Sequence, residues 1–357
     1  MNRSTLHEII LAISIFFSGH HSFSQDTTRL KKIKILPVPV FGYTPETGTY
    51  IGAVTLFNVD LYQDRRTRTS NAKVEINYTW EKQLILESEW NYFFKEETWL
   101  SKGLLHYSKY PDLYYGIGEN TPDTVDINFE SNRIKMNINL LKNINTDLFI
   151  GGGIKYCKYS NVEYQDEHIY YPELEDRSNV GINFIFLKDS RNNILTPVNG
   201  TYIEFINTFN FSLNNYDQTI FDIRKYYSWG LSKNQTFAGR FYNSLVFGEP
   251  PFYDYSLIGG DKYARGYFYG RFRDNNFSSL QVEYRLNMIW RFGLATFGGL
   301  SMIYSDYTNI NQDNFKPNAG IGLRFLVDRK ENTNLRFDYA IGSKGQSGFY
   351  VSFGESF

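Results

Sequence analysis

Covalent hydrolytic chemistry needs a nucleophile held beside a base, and this sequence is poor in bases. Beyond residue 25 the only histidines are His106 and His168, and no Gly-x-Ser-x-Gly elbow occurs. The single cysteine, Cys157, excludes an internal disulfide and a thiolate metal cluster. Aspartates and glutamates are plentiful, but none fall at metal-ligand spacings. No catalytic set, metal site or cofactor site is therefore expected, and the chain does not read as an enzyme. The segment richest in unusual residue types runs from 248 to 276, where Gly259, Gly260, Gly266 and Gly270 surround Arg265 and Tyr267. Glycines permit tight turns and close backbone approach, as a loop packed inside a larger structure requires. A solvated loop arginine is the plainer reading of Arg265.

The elements that would position this segment are strands. Ala72, Val74, Ile76, Tyr78 and Trp80 interleave with Lys73, Glu75, Asn77 and Thr79, and Leu280, Val282, Tyr284 and Leu286 with Gln281, Glu283 and Arg285. Successive strand residues point to opposite faces, so each such segment has one apolar and one polar face. Runs of about ten residues suit a tilted transmembrane strand better than the shorter strand of a soluble sandwich. Sixteen strands are expected, near 33–43, 49–60, 70–80, 83–95, 98–109, 125–142, 146–159, 177–187, 200–212, 217–230, 235–247, 277–290, 293–305, 317–328, 333–342 and 348–357. A phase change between Ser131 and Ile134 predicts a bulge in the sixth. Open sheet edges are not tolerated in lipid, so the sheet should close into an all-β, sixteen-stranded antiparallel barrel. An even count puts both termini on the periplasmic side. The long connections 110–124, 160–176 and 248–276 then fall on the extracellular side.

Composition agrees. Aromatic residues make up 18% of the 357 residues, as interfacial girdles would require. A net charge of −1 gives no sign of a nucleic-acid partner. Arg3, the apolar run Ile9 to Phe17 and the small-x-small site Ser22-Phe23-Ser24 read as a signal peptide over 1–24. A short segment, 25–32, then leads into a barrel over 33–357. Secretion and strand pattern together place the protein in a bacterial outer membrane.

Several motifs, in this order, resemble the BamA/TamA-like outer-membrane assembly factor superfamily, also called the bacterial surface antigen family. They are Gly42-Tyr43-Thr44-Pro45-Glu46-Thr47-Gly48, Tyr115-Gly116-Ile117-Gly118-Glu119-Asn120, and Asp189-Ser190-Arg191-Asn192 with Pro197 and Gly200. Leu257-Ile258-Gly259-Gly260-Asp261 and Ala264-Arg265-Gly266-Tyr267 follow, and then a terminal Phe357 in phase with Phe349, Val351 and Phe353. The resemblance covers roughly residues 33 to 357. It implies that extracellular loop six folds into the lumen, with Arg265 meeting Glu283. The family's usual acidic residue on strand thirteen is replaced by Gly299, so Arg265 is expected to rest on one carboxylate. The family's tandem periplasmic POTRA domains have no counterpart before the first strand.

Pro37 and Pro39, two residues apart, remove two donors from one edge of the first strand. That edge should face the last strand and its Phe357, making a weak seam. The resemblance implies a role in moving protein or lipid into or across the outer membrane. A passive channel or structural barrel subunit is the alternative. Outer-membrane lipid is one expected partner, and a separate periplasmic or lipoprotein subunit another. A barrel without periplasmic domains is not expected to be a general barrel-assembly engine.

Overall fold

The computed structural model describes residues 32–44, 48–62, 66–121, 127–164, 174–230, 234–329 and 332–357. The expected signal peptide and nearly all of the short segment after it lie outside these residues. Sixteen strands follow one another: β1 (Lys32–Thr44), β2 (Gly48–Asp60), β3 (Ser70–Thr79), β4 (Leu84–Phe93), β5 (Trp99–Tyr114), β6 (Ile127–Asn145), β7 (Leu148–Tyr164) and β8 (Arg177–Asp189). Then come β9 (Gly200–Phe211), β10 (Tyr216–Trp229), β11 (Gln235–Gly248), β12 (Asn276–Asn287), β13 (Phe292–Tyr304), β14 (Phe315–Asp328), β15 (Thr333–Ile341) and β16 (Ser347–Phe353). Each pairs antiparallel with its neighbours in chain order. No helix among the described residues is long and apolar enough to cross a membrane.

The two faces of this sheet invert the rule for a water-soluble domain, in which large apolar side chains turn inward. On β12, Leu280 is 57% and Val282 42% exposed, whereas Gln281, Glu283 and Arg285 between them are buried. The same inversion runs around the sheet, with Ile76, Ile182, Ile223 and Leu323 exposed and Asn77, Asn183, Asp222 and Arg324 buried. Apolar outside and polar inside is what hydrocarbon demands of a closed sheet.

Three details differ from expectation. The sixth strand carries no phase break, because β5 and β6 pair without interruption from Trp99↔Lys142 to Tyr114↔Ile127. The apparent shift arises because Phe129 faces inward into an apolar cluster with Tyr114, Tyr159 and Phe252. The irregularity belongs to β7, where the β6 pairing steps from Glu130↔Glu163 to Asn132↔Ser160 and Asn161 takes φ +54°. The connection 110–124 is shorter than read, since its first residues extend β5 to Tyr114. The last strand stops at Phe353. Gly354, at φ +76°, then turns the chain away from the sheet.

The first and last strands meet differently from all other neighbours. No ladder joins β1 to β16 among the described residues. Val351 and Phe353 pack on a cluster of Val40, Tyr50, Val54 and Leu56. Those four are buried side chains of the first hairpin, so the end of β16 laps its inner face instead of extending its edge. Tyr50 hydroxyl also donates to the Val351 carbonyl at 3.4 Å.

Candidate functional site

Residues 249–275 link β11 to β12. A short ladder of Ser256–Leu257 with Arg273–Asp274 closes their base. The turns between rest on glycine. Gly259 takes φ +108°, and a Cβ there would meet the Phe268 carbonyl oxygen at 2.4 Å. Gly266 takes φ +103°, with Ile341 backbone 2.7 Å from the same imagined atom. Gly260, at φ +78°, opens a single helical turn, Gly260–Tyr263.

Between those turns Arg265 is 1% exposed. One terminal nitrogen donates to Glu283 Oε2 on β12 and the other to Asp338 Oδ2 on β15, each at 2.6 Å. Its guanidinium carbon lies 3.4 Å from the Phe297 ring centroid on β13. Asn318 on β14 donates to the Arg265 carbonyl at 2.8 Å. Tyr350 hydroxyl on β16 accepts from Gly266 N–H at 2.9 Å. Tyr267 hydroxyl donates to the Pro317 carbonyl at 2.7 Å and accepts from Ser343 N–H at 2.8 Å. All of these strand partners sit on the face opposite the exposed apolar one, apart from backbone atoms.

The expectation of a single carboxylate is corrected. Asp338 supplies the second from β15, so Arg265 rests on carboxylates from two strands. Gly299 itself leaves little room, as a Cβ there would meet Asn318 Oδ1 at 2.7 Å. The contact extends into a network. Glu283 Oε1 accepts from Arg285 at 2.7 Å, Asp338 Oδ1 from Arg324 at 2.6 Å, and Glu355 Oε2 from Arg324 at 2.7 Å. Arg336 bridges Asp338 at 3.1 Å and Asp261 at 2.8 Å. Four arginines thus face four carboxylates, and the charges balance. Balance matters because a buried charge deprived of its partner is heavily penalised.

Phe357, read as a seam residue, is instead buried against Tyr226 and Ala238 of β10 and β11. Its carbonyl accepts from Arg285 at 2.8 Å. The turn at Gly354 is the reason, since it frees the last residues from the sheet. Pro37 and Pro39 lie in β1 opposite Thr55 and Ala53. The ladder to β2 runs past both, which leaves their ring nitrogens on the edge turned from β2.

Two further sets of contacts were not legible in the sequence. The β8–β9 turn, residues 190–199, reaches across the barrel end that holds the C-terminus. Its Leu195 carbonyl accepts from Glu355 N–H at 2.8 Å and its Pro197 carbonyl from Arg285 at 3.0 Å. Thr196 hydroxyl donates to the Asn332 carbonyl. Beneath it Phe93, Leu100, Leu141, Phe149, Ile185 and Leu187 form an inward apolar core. At the opposite end, Tyr253 stacks on Tyr159 at 4.1 Å, and Asp254 accepts from Lys155 at 2.8 Å. Burial opposes ionisation of Asp254, but Lys155 and the Tyr216 hydroxyl hold its carboxyl below the usual range. Thr121, beyond β5, accepts from Arg271 at 2.6 Å, which ties the β5–β6 connection to the same segment.

An inside-out, sixteen-stranded sheet around an interior charge network defines a membrane β-barrel. Residues 55–357 match the Omp85 superfamily domain, and the chain belongs to that superfamily. Solved structures with the same fold include BamA from Haemophilus ducreyi lacking POTRA domains 1–3, with TM-score 0.56 and 14% identity over 97% of this chain and 78% of that one. CdiB from Acinetobacter baumannii has TM-score 0.59 and 13% identity over 89% of this chain. The chain spans 59% of the length of that CdiB structure. No curated protein matches the sequence.

Proposed function

We propose that the protein assists insertion or translocation of a protein or lipid substrate at the bacterial outer membrane. Members of its superfamily are assembly and translocation factors, and BamA-like barrels reside in that membrane. The observation that carries the reading is the junction of β1 and β16. Among the described residues every other neighbouring pair shares a backbone ladder; here the end of β16 instead packs side chains on the inner face of the first hairpin, with a long hydrogen bond from Tyr50 of β2. In lipid, unpaired backbone groups are costly, so such a seam is the place where the wall yields. A passive channel is disfavoured by two obstructions, the 249–275 segment and the 190–199 turn, which enter from opposite ends. Outer-membrane lipid at the seam is the immediate partner on this reading, with a periplasmic or lipoprotein subunit as the second.

The test is to lock the seam. Cysteines at Val40 and Val351, in a Cys157→Ser background, are bridged by a short bifunctional maleimide. The locked barrel should fail to restore the outer membrane of a strain lacking the protein, while the unbridged double-cysteine barrel restores it. Full restoration by a completely bridged barrel, or a steady open-pore conductance of the unmodified barrel in planar bilayers, would favour the channel.

A further inference from the structure

A cavity of about 550 Å³ lies between the 249–275 segment and the inner faces of the first strands. Its lining includes three cations, Arg133 and Lys135 of β6 and Arg273 of the segment, besides Lys73 and Lys262. Arg133 pairs with Asp112 at 2.9 Å. Neither of the other two has a carboxylate within ion-pair distance among the described residues, although the charge of Asp112 still acts on Arg273. Among the described residues Lys135 makes no hydrogen bond or ion pair, and its ammonium lies 5.8 Å from the Tyr159 ring. Arg273 is 3% exposed, over Phe252 at 4.5 Å, and its one side-chain hydrogen bond is a long contact to the Gly270 carbonyl at 3.4 Å. Its buried Nε has no acceptor. Burial pushes the Arg273 pKa below the ordinary arginine value.

The contrast with the Arg265 network is the point. There each arginine meets a carboxylate; here the lining carboxylates Glu75, Glu87, Glu89, Asp112 and Asp261 each pair with Lys73, Lys262, Arg133 or Arg336, and among the described residues Lys135 and Arg273 are left without an ion pair. Buried charge is retained when something pairs with it. Aromatic faces at Tyr159 and Phe252 ease the cost without neutralising it. A carboxylate ligand would offset one of the two charges. A phosphate monoester carries roughly −1.5 to −2 near neutral pH and offers three acceptor oxygens, enough to meet both. Arginine's planar fork and lysine's point charge are the two usual means of holding such a group.

We infer that this part of the lumen cavity is an anion site for a phosphate monoester, held between Lys135 and Arg273. The group can belong to a lipid headgroup or to a soluble molecule, since both present the same oxygens. The test is calorimetric titration of the full-length barrel in a zwitterionic detergent with inorganic phosphate, glycerol 3-phosphate and short-chain phosphatidic acid. Binding of at least one is expected, weakened about tenfold or more by Lys135→Gln and by Arg273→Gln. Lys188→Gln, on the exposed outer face, should leave it unchanged. Phosphatidic acid binding alone assigns the site to a lipid headgroup; comparable binding of glycerol 3-phosphate assigns it to soluble phosphates. Lys135 makes no hydrogen bond or ion pair among the described residues, so its variant keeps the test valid if the Arg273 variant misfolds. No binding of any probe, or binding unaltered in Lys135→Gln, overturns the inference.

Discussion

Arg265 shows how a single buried charge organises an interior. It leaves a connecting segment, meets carboxylates from two strands, and lies over the Phe297 ring. Removing one partner leaves arginine charge buried and unmatched, which typically costs about 3–5 kcal/mol. Asp338→Asn should therefore destabilise the barrel by that order, as should Glu283→Gln. The check is the urea midpoint of unfolding, followed by the heat-modifiable electrophoretic shift. Equal midpoints for wild type and Asp338→Asn would contradict the role given to the second carboxylate. On the outer face, Val282→Arg should cost roughly 2–4 kcal/mol if the position is near the bilayer midplane, with the same readout. Glu283 was within reach of sequence reasoning because it sits in the strand that follows the segment. Asp338 was not. It lies 73 residues from Arg265 in an ordinary alternation of polar and apolar residues, and only barrel closure brings the two together.

At the scale of elements, strand periodicity was enough to read where each strand lies, because one face must be apolar throughout. It failed where inward positions are apolar for another reason. Phe129 packs beneath Phe252, and so imitated a change of phase in β6. Phe357 looked like the end of a strand by its spacing, but Gly354 breaks the register that spacing assumes. The docked segment yields a pH prediction. The Asp254 carboxyl is held below its ordinary range in the folded protein. The stabilisation it gives is therefore present above the unfolded value of about 4 and is lost as pH falls through the folded one. Pepsin should cleave within 249–275 of the wild type only in acid below about pH 4. Asp254→Asn should expose the segment to proteases already at neutral pH. A segment equally resistant in both proteins at both pH values would remove Asp254 from the docking contacts.

The whole molecule is a barrel obstructed from both ends and left unlaced along one line. Beside its interior network and its apolar clusters lies a cavity bounded by the first strands and the 249–275 segment. The closure at the C-terminal end was not legible in the sequence. The Asp189-to-Gly200 motif marks a turn, whereas its reach depends on where Glu355, Arg285 and Asn332 stand in three dimensions. The weak line was legible in part, because Pro37 and Pro39 forbid donors on one edge of β1. The inward lap of β16 was not, since nothing local distinguishes Val351 and Phe353 from other strand residues. Hydrogen exchange of the barrel in lipid nanodiscs tests the central claim most directly, because exchange reports the free energy of local opening. Amides of β1 and β16 should exchange at least about tenfold faster than those of β8 and β9, a difference near 1.4 kcal/mol in opening. Equal protection of all four strands would contradict a yielding seam.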